Sequence, residues 1–384
     1  MATTGPQIVP AGLVQKYWDT KLVDRVEGSD IFSGYKGALK GNGMLPGTVI
    51  VSHFEKGKRS GTVGLLESLS GTAILGRNTL SGNEETLSIL DFEIAANEVK
   101  HGVAIESFGV DAVADSPYNT LGKVDPLLGD YMEKTKGKFR RQALCQCYSE
   151  NLAELPSDKT QHISANLYVG GVALASQPAY SDTLATYSTA INTACPDAAT
   201  AANQMTQSSL MELAHWVKNV KRIKPLASGK YILTVPANQR RYIMDPDSGI
   251  AKHWSQSNKP EMAIKGWIAD FDIFHLVEDE RAPIMVQDED ADSVTWTYTS
   301  VNDSRPVAGA NNWDVAYVLG ADAIMEYECE KLHYQIDDTN EYGRDHRVGA
   351  FATYGDQIIQ YVKAEDTLIN QGSAVVLFAS LATA

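Results

Sequence analysis

The sequence predicts an α+β fold in which one long helix is combined with short strands and long excursions between them. The stretch LLGDYMEKTKGKFRRQALCQCYSENLAEL, residues 127–155, carries apolar side chains at helical spacing, and Pro156 follows it as a stop signal. The strand-like segments GKYILTVP and GWIADFDIFHLVEDE are short and do not alternate regularly with helices. This combination favours a mixed fold over a repeated βαβ arrangement.

The N-terminal region is predicted to be an extended arm, because prolines and glycines interrupt it throughout. One short amphipathic helix is expected within it. Its apolar positions fall near helical spacing at Leu13, Tyr17, Leu22 and Val26.

The sequence pattern changes at Gly47, and the new pattern continues to about Val99. The charged stretch EKGKRSG, Glu55–Gly61, predicts a turn, and FEIA, Phe92–Ala95, alternates apolar and polar residues as a half-buried strand does. The segment is rich in glycine and poor in large side chains, while ordering a backbone costs on the order of 1 kcal/mol per residue. We therefore expect another chain to supply its burial, with folding back onto its own lobe as the alternative.

The long helix is predicted to have an apolar stripe and a basic face. The stripe contains Leu128, Met132, Phe139, Ala143 and Cys147. The basic side chains are expected to form a solvated face, with contact to an acidic surface or nucleic acid as the alternative; they are Lys134, Lys136, Lys138, Arg140 and Arg141.

The second half of the chain contains several shorter elements. Ser209 and Glu212 match a capping box at the start of an amphipathic helix. A strand ending at Pro236, a short helix and turn over ANQRRYIMDPDSG, and a strand pair over GWIADFDIFHLVEDE are predicted to follow. The stretch WDVAYVLGADAIMEYEC is interpreted as a strand or helix that returns to the core.

Charge and hydropathy limit the classes of function. The 384-residue chain has a formal net charge of -15, which makes it a poor general binder of nucleic acid. A protein of this charge could still enclose DNA without binding it tightly. No signal peptide is predicted, and the apolar stretch Ala374–Ala384 is far shorter than the ~20 residues of a membrane span. We expect a soluble protein made in the cytosol.

No stretch matches a catalytic or cofactor-binding motif. The glycines around Gly76 and Gly82 lack Walker A spacing and are followed by two carboxylates. Glu84 and Glu85 are adjacent, so in a strand they would point to opposite faces and could not share a substrate. The histidines are scattered, and the acidic run Asp288–Asp292 is interpreted as a solvated loop. We predict no enzyme activity, no cofactor and no metal site.

The stretch LSGNEETLSILDFEIAANEVKHGV, residues 80–103, carries a family resemblance. It contains a Gly-Asn-Glu-Glu turn, then a strand, then a basic residue near an aliphatic pair. GKYILTVPANQRRYIMDPD, GWIADFDIFHLVEDE and AYVLGADAI add to it. From about Gly47 onward the chain resembles the major capsid proteins of tailed bacteriophages, in the branch typified by N-four-like podophages.

The resemblance implies an HK97-type fold with four parts. Residues 1–44 would be the N-terminal arm, and residues 45–90 the extended hairpin called the E-loop. Residues 91–176 and 316–384 would form the P-domain, with a spine helix at about 127–155. Residues 177–315 would form the A-domain.

The resemblance also implies a structural role with copies of the same chain as principal partners. Hexamers and pentamers would tile an icosahedral shell around double-stranded DNA, assembled in the host cytoplasm and retained in the virion, with portal and possibly scaffolding or cement proteins as further partners and no membrane contact. Lys56, Lys58 and Arg59 at the hairpin tip would contact acidic surface of an adjacent subunit. Glu84 and Glu85 at the hairpin base would meet basic residues of a neighbour, and Arg77 is a further predicted contact.

Two other classes remain open. A tail or decoration protein of a virion would also be acidic, glycine-rich and without catalytic motifs. A metal-dependent hydrolase would have to use the acidic run at Asp288–Asp292.

Overall fold

The described residues combine two larger β-sheets and two two-stranded sheets with one long helix. The computed structural model describes residues 19–23, 25–26, 31–39, 45–66, 84, 89–105, 120–146, 166–169, 172–173, 204–244, 267–288, 293–297, 312–337, 346–363, 367–370 and 372–380. Most of the predicted N-terminal helix, the end of the predicted spine helix beyond residue 146, and Arg77 and Glu85 lie outside these ranges.

Besides a helical stretch over residues 19–23 and 25–26, the described helices are three, with two shorter turns. They are α1 (Thr120–Gln146), α2 (Gln207–His215) and α3 (Ala237–Ile243), together with a 3-10 turn at Ser33–Tyr35 and a π-helical turn at Trp216–Val220. The described strands, in chain order, are β1 (Lys36–Ala38), β2 (Ile50–Phe54), β3 (Ser60–Leu66), β4 (Ile89–Ala95), β5 (Asn97–Ile105), β6 (Leu167–Val169), β7 (Val172–Ala173), β8 (Tyr231–Pro236), β9 (Trp267–Phe271), β10 (Phe274–Asp279), β11 (Ile284–Asp288), β12 (Ser293–Thr297), β13 (Asn312–Leu319), β14 (Ile324–Asp337), β15 (His346–Ile358), β16 (Gln360–Lys363), β17 (Thr367–Asn370) and β18 (Ser373–Ala379).

Helix α1 begins at Thr120, seven residues before the predicted start at Leu127. Pro126 lies inside the helix, within its first two turns. A proline there lacks the N–H that would bond to the preceding turn, which is why the sequence pattern placed the start after it. Leu128, Met132 and Ala143 of the predicted stripe are buried.

A five-stranded sheet supports one side of α1. Its strand order is β1-β2-β14-β15-β5, with β2 parallel to both β1 and β14 and the other pairs antiparallel. The register of β14 against β15 shifts between Glu328 and Glu330 and again between Glu330 and His333. The β5–β15 register has no such shift over its whole length.

A nine-stranded sheet forms the other part of the body. Its main order is β7-β6-β18-β13-β8-β10-β9, and β11 joins it through β13 and also pairs with β12. The predicted boundary between residues 315 and 316 falls inside β13, which pairs with β18, β8 and β11. The division into arm, E-loop, P-domain and A-domain remains a prediction.

The predicted strands of the second half are confirmed, but the cap of α2 differs from the prediction. β8 ends at Pro236, α3 follows it, and β9 and β10 form the predicted pair. The capping residue of α2 is Thr206, whose side chain accepts from the Ser209 N–H, while Ser209 caps the Thr206 N–H in return. The predicted Ser209–Glu212 box is therefore wrong by one turn, because Ser209 serves as the second member of the box instead of the first.

Candidate functional site

The β3–β4 hairpin forms a two-stranded sheet of its own, apart from the two larger sheets. Its register runs from Ser60 opposite Ala95 to Leu66 opposite Ile89, so the two strands are connected through residues 67–88. The turn at Glu55–Arg59 precedes Ser60 and therefore lies at the end of the hairpin that joins the body. The predicted position of Lys56, Lys58 and Arg59 at the hairpin tip is wrong for this reason.

The body end of the hairpin is held by β14. The hydroxyl of Tyr327 donates to the carbonyl oxygens of Lys58 and Ser60, at 3.3 and 3.1 Å, and the Cys329 thiol also contacts the Lys58 carbonyl. Gly61 passes so close to the Tyr327 ring that a Cβ there would lie 2.5 Å from it. The hairpin is thus tied to the five-stranded sheet at one end.

One face of the described part of the hairpin is buried against its own chain. Val63, Phe92 and Ile94 pack with Met325 and Tyr361 in a single cluster, whereas alternate residues of the two strands are exposed. The expectation that another chain supplies all the burial of this segment is therefore wrong for strands β3 and β4. The alternative, folding back onto its own lobe, holds there.

The predicted contact residues are partly brought together. Lys56, Lys58 and Arg59 are exposed on the turn between β2 and β3, and the Lys58 ammonium lies 2.5 Å from the Glu55 carboxylate. Glu84 is exposed. Contacts of these side chains with a neighbouring subunit remain a prediction, as do those of Arg77 and Glu85.

Helix α1 is joined to the five-stranded sheet by a group of charges that we call the charge cluster. It comprises three cations and three carboxylates: Lys36, Lys136, Arg140, Glu326, Glu328 and Asp356. Glu326 lies at its centre, with the ammonium nitrogens of Lys36 and Lys136 at 2.7 and 3.2 Å and the guanidinium of Arg140 also in contact. The equal number of opposite charges makes burial of the group tolerable.

The carboxylates of the charge cluster differ in their proton affinity. Burial alone would raise the pKa of Glu326, but the charges of Lys136, Arg140 and Lys36 hold that pKa well below its usual range. Burial, and then the charge of Glu326, raises the pKa of Asp356 to about 7. The same two causes raise the pKa of Glu328. One proton is therefore taken up by this group at or just below neutral pH.

A second buried pair connects α1 to the nine-stranded sheet. Arg141 contacts Asp279 through two bonds, Nε to Oδ2 at 2.9 Å and Nη2 to Oδ1 at 2.6 Å. Asp279 also accepts the Arg281 backbone N–H at 3.0 Å. This bidentate geometry fixes the helix relative to the end of β10.

The expected solvated basic face of α1 is wrong for Lys136, Arg140 and Arg141. All three are buried, and their acidic partners lie on β10, β14 and β15. The sequence carried one usable signal, the four-residue spacing of Lys136 and Arg140, which places both on one side of the helix. The partners lie at least 138 residues away along the chain and gave no such signal.

The chemistry available among these groups is electrostatic. Within the described part of the chain, no group of three His, Cys, Asp or Glu side chains is arranged to hold a metal ion. Of the acidic run, only Asp288 belongs to the described ranges. None of the described helices is both long enough and apolar enough for a membrane span.

Comparison with known proteins was informative only at the level of structure. No protein-family profile matches the chain, and no curated protein matches its sequence. Three solved structures match nearly all of it: a cyanophage Pam1 capsid asymmetric unit at TM-score 0.62 and 12% identity, the capsid of Ralstonia phage GP4 at 0.62 and 13%, and the head structure of Helicobacter pylori bacteriophage KHP40 at 0.61 and 11%. The matches cover 92%, 93% and 91% of this chain, and 92%, 93% and 92% of the other chains, respectively.

The chain has the fold of phage capsid proteins. The predicted HK97-type α+β fold is thereby confirmed. The assignments of α1 as the spine helix and of β3–β4 as part of the E-loop remain predictions. The particular N-four-like branch remains a prediction.

Proposed function

We propose that this chain is a major capsid subunit, many copies of which assemble into the shell of a phage head around double-stranded DNA. The observation that carries the proposal is the match to capsid structures over more than nine-tenths of both chains. A tail protein or an enzyme has no comparable support. The role is structural, and the protein binds no cofactor for it.

Copies join through heterologous contacts that close by rotation into hexamers and pentamers. Arg77, Glu84 and Glu85 contact a neighbouring subunit, and the two glutamates pair with basic residues there. The turn carrying Lys56, Lys58 and Arg59 forms a second, basic contact at the hairpin's body end. Lys331 adds to that surface, with its ammonium 5.4 Å from the centre of the Phe54 ring.

Further partners follow from the same role. The shell assembles in the host cytoplasm, incorporates a portal, and remains in the virion. Scaffolding or cement proteins are further partners. The acidic net charge of -15 suits a container for DNA, because the wall does not hold the genome by general electrostatic attraction.

The proposal is tested by expressing the full chain and imaging the product by negative-stain electron microscopy. Closed shells are the expected result, and tubes or a stable monomer at high concentration would contradict it. A matched variant replaces residues 67–88 with an Asn-Gly turn, which can connect two antiparallel strands directly. It should keep its fold by circular dichroism and fail to form shells.

The basic turn is tested by the double reversal Lys58→Glu plus Arg59→Glu, which should impair shell assembly. The control Lys218→Glu plus Arg222→Glu changes the net charge equally at two other exposed positions. Equal yields of shells from both variants would remove the turn from the interface.

A further inference from the structure

Strand β5 forms one edge of the five-stranded sheet. Among the described strands it pairs only with β15, in an unbroken antiparallel register from Asn97 opposite Tyr354 to Ile105 opposite His346. It contains no proline and no bulge. Straight strand edges present a row of backbone donors and acceptors that can pair with another strand.

The direction of the backbone groups of β5 follows from one hydrogen bond. The Glu98 N–H donates to the side-chain oxygen of Asn97 at 2.9 Å, and so points away from β15. Since successive residues of a strand direct their N–H and C=O groups to opposite sides, Lys100, Gly102 and Ala104 also present theirs at the outer edge. All four residues are exposed, as is His101.

The charges along this edge are self-complementary. Glu98 and Lys100 lie two residues apart on the same face of the strand, and their charged ends are 3.4 Å apart in one chain. In an antiparallel pair of two β5 strands related by a two-fold axis at Val99, Glu98 of each copy lies directly opposite Lys100 of the other. Both of these positions would be hydrogen-bonded pairs, because both residues direct their backbone groups outward.

We infer that the outer edge of β5 is an interface with a second copy of this chain, in which two β5 strands pair antiparallel about Val99. A two-fold contact uses the same patch on both partners, and the alternating charges of Glu98 and Lys100 satisfy that requirement. If the two-fold axis lay at Lys100 instead, the ammonium groups of the two Lys100 side chains would lie directly opposite each other. The charges therefore also select the register. Helix α1 supports the strand from one side, where the His101 and Tyr131 rings stack at 3.8 Å between centres.

The inference deepens the proposed function by naming one contact between subunits, and it rests on that function only for its place in a shell. Two-fold pairing of β5 edges would join two five-stranded sheets into one continuous sheet. The hairpin contact proposed above belongs to different residues, so the two contacts can be disrupted separately.

The first experiment uses the substitution Val99→Cys in the full chain. At the two-fold position the two Cα atoms would form a non-hydrogen-bonded pair about 4.5 Å apart, within the range that a disulfide spans. Mild oxidation should give at least about a tenfold higher fraction of disulfide-linked dimer than the wild type. The control Lys100→Cys places the two thiols off the axis and should not crosslink. Absence of the Val99→Cys dimer, or equal crosslinking of both variants, would overturn the inference.

The second experiment tests the register in the Val99→Cys background. With Glu98→Lys alone, four ammonium groups from the two copies face one another at the interface. With Lys100→Glu alone, four carboxylates do so. Each single substitution should therefore reduce the dimer fraction severalfold. The double variant Glu98→Lys plus Lys100→Glu restores opposite charges and should restore the dimer. Mixing the two single variants should favour the mixed dimer over either self-pair. Failure of the double variant and of the mixture to recover crosslinking would refute the proposed register.

These outcomes separate the inference from the proposed function. Normal shells from a wild-type chain whose Val99→Cys variant does not crosslink would reject the β5 contact and leave the capsid role intact. Crosslinked dimers from a chain that never forms shells would support the contact and reject the capsid role.

Discussion

Replacing Arg141 with methionine should destabilise the subunit far more than an equally short ion pair at the surface would suggest. Arg141 and Asp279 are both buried, with side-chain exposures of 7% and 1%, and they bind through two bonds. Methionine fills similar space without a charge. The substitution therefore leaves the Asp279 carboxylate in the interior with the Arg281 backbone N–H as a remaining donor.

The magnitude follows from the cost of removing one partner of a buried pair, about 3–5 kcal/mol. Unfolding entropy is about 2.1 cal/mol/K per residue, so a chain of 384 residues has about 0.8 kcal/mol/K and should lose about 4–6 °C in Tm. Asp279→Asn alone should cost a similar amount, because it leaves a buried guanidinium. The double variant should cost much less than the sum of the two.

The assay is thermal unfolding of the unassembled subunit followed by circular dichroism. Arg240→Met is the matched control: the Arg240–Glu278 contact is also 2.6 Å and uses the neighbouring residue of β10, but the Arg240 side chain is 48% exposed. An exposed pair contributes about 0–1 kcal/mol, so the control should shift Tm by about 1 °C or less. If Arg141→Met lowers Tm no more than Arg240→Met, burial does not decide the strength of these pairs and the reasoning fails.

Three further predictions concern other parts of the body. Because the pKa of Asp356 is raised from 3.8 to about 7, the folded state binds the Asp356 proton more tightly than the unfolded state does. The stability of the subunit should therefore fall as pH rises from about 4 to about 7 and then level off. Asp356→Asn should flatten that part of the Tm–pH curve, and an unchanged slope would contradict the assignment. Gly320→Ala would place a Cβ 2.2 Å from the Lys224 carbonyl oxygen, so it should lower the free energy of unfolding, measured with urea, by about 1–3 kcal/mol. Gly34→Ala is the control: no atom lies within 4 Å of the added Cβ, so the free energy of unfolding should hardly change. Tyr327→Phe removes the hydroxyl that holds the hairpin and should speed amide hydrogen exchange in β3 about fivefold. An unchanged exchange rate would show that the hydroxyl does not anchor the hairpin.

The elements that were predictable from the sequence are those whose pattern is local. The strand ending at Pro236 and the paired strands β9 and β10 follow from short apolar runs bounded by turn residues, and the structure has them. The fold class follows from the order of such elements. The start of α1 was missed because Pro126 is a local signal against helix, and the surrounding packing overrides it.

The charged positions of α1 were not predictable for a different reason. Lys136 and Arg140 have the composition of a solvated face, and their burial depends on carboxylates that only the tertiary fold brings near. The orientation of the hairpin was likewise hidden, since the pairing of Ser60 with Ala95 fixes which end meets the body. Sequence periodicity reports which side of an element is apolar, but it does not report which distant charges neutralise its polar side.

The position of β2 in the five-stranded sheet has a consequence for the synthesis of the protein. β2 lies between β1 and β14, and the Lys36–Glu326 contact joins positions 290 residues apart. At about 5–20 residues per second, the ribosome needs about 15–60 s to make the strand that β2 requires. During that interval the first strands of a nascent chain have no native partner on one side. A cell making many copies at once therefore holds a large population of half-made sheets, and protection of these early strands by chaperones should limit the yield of subunits.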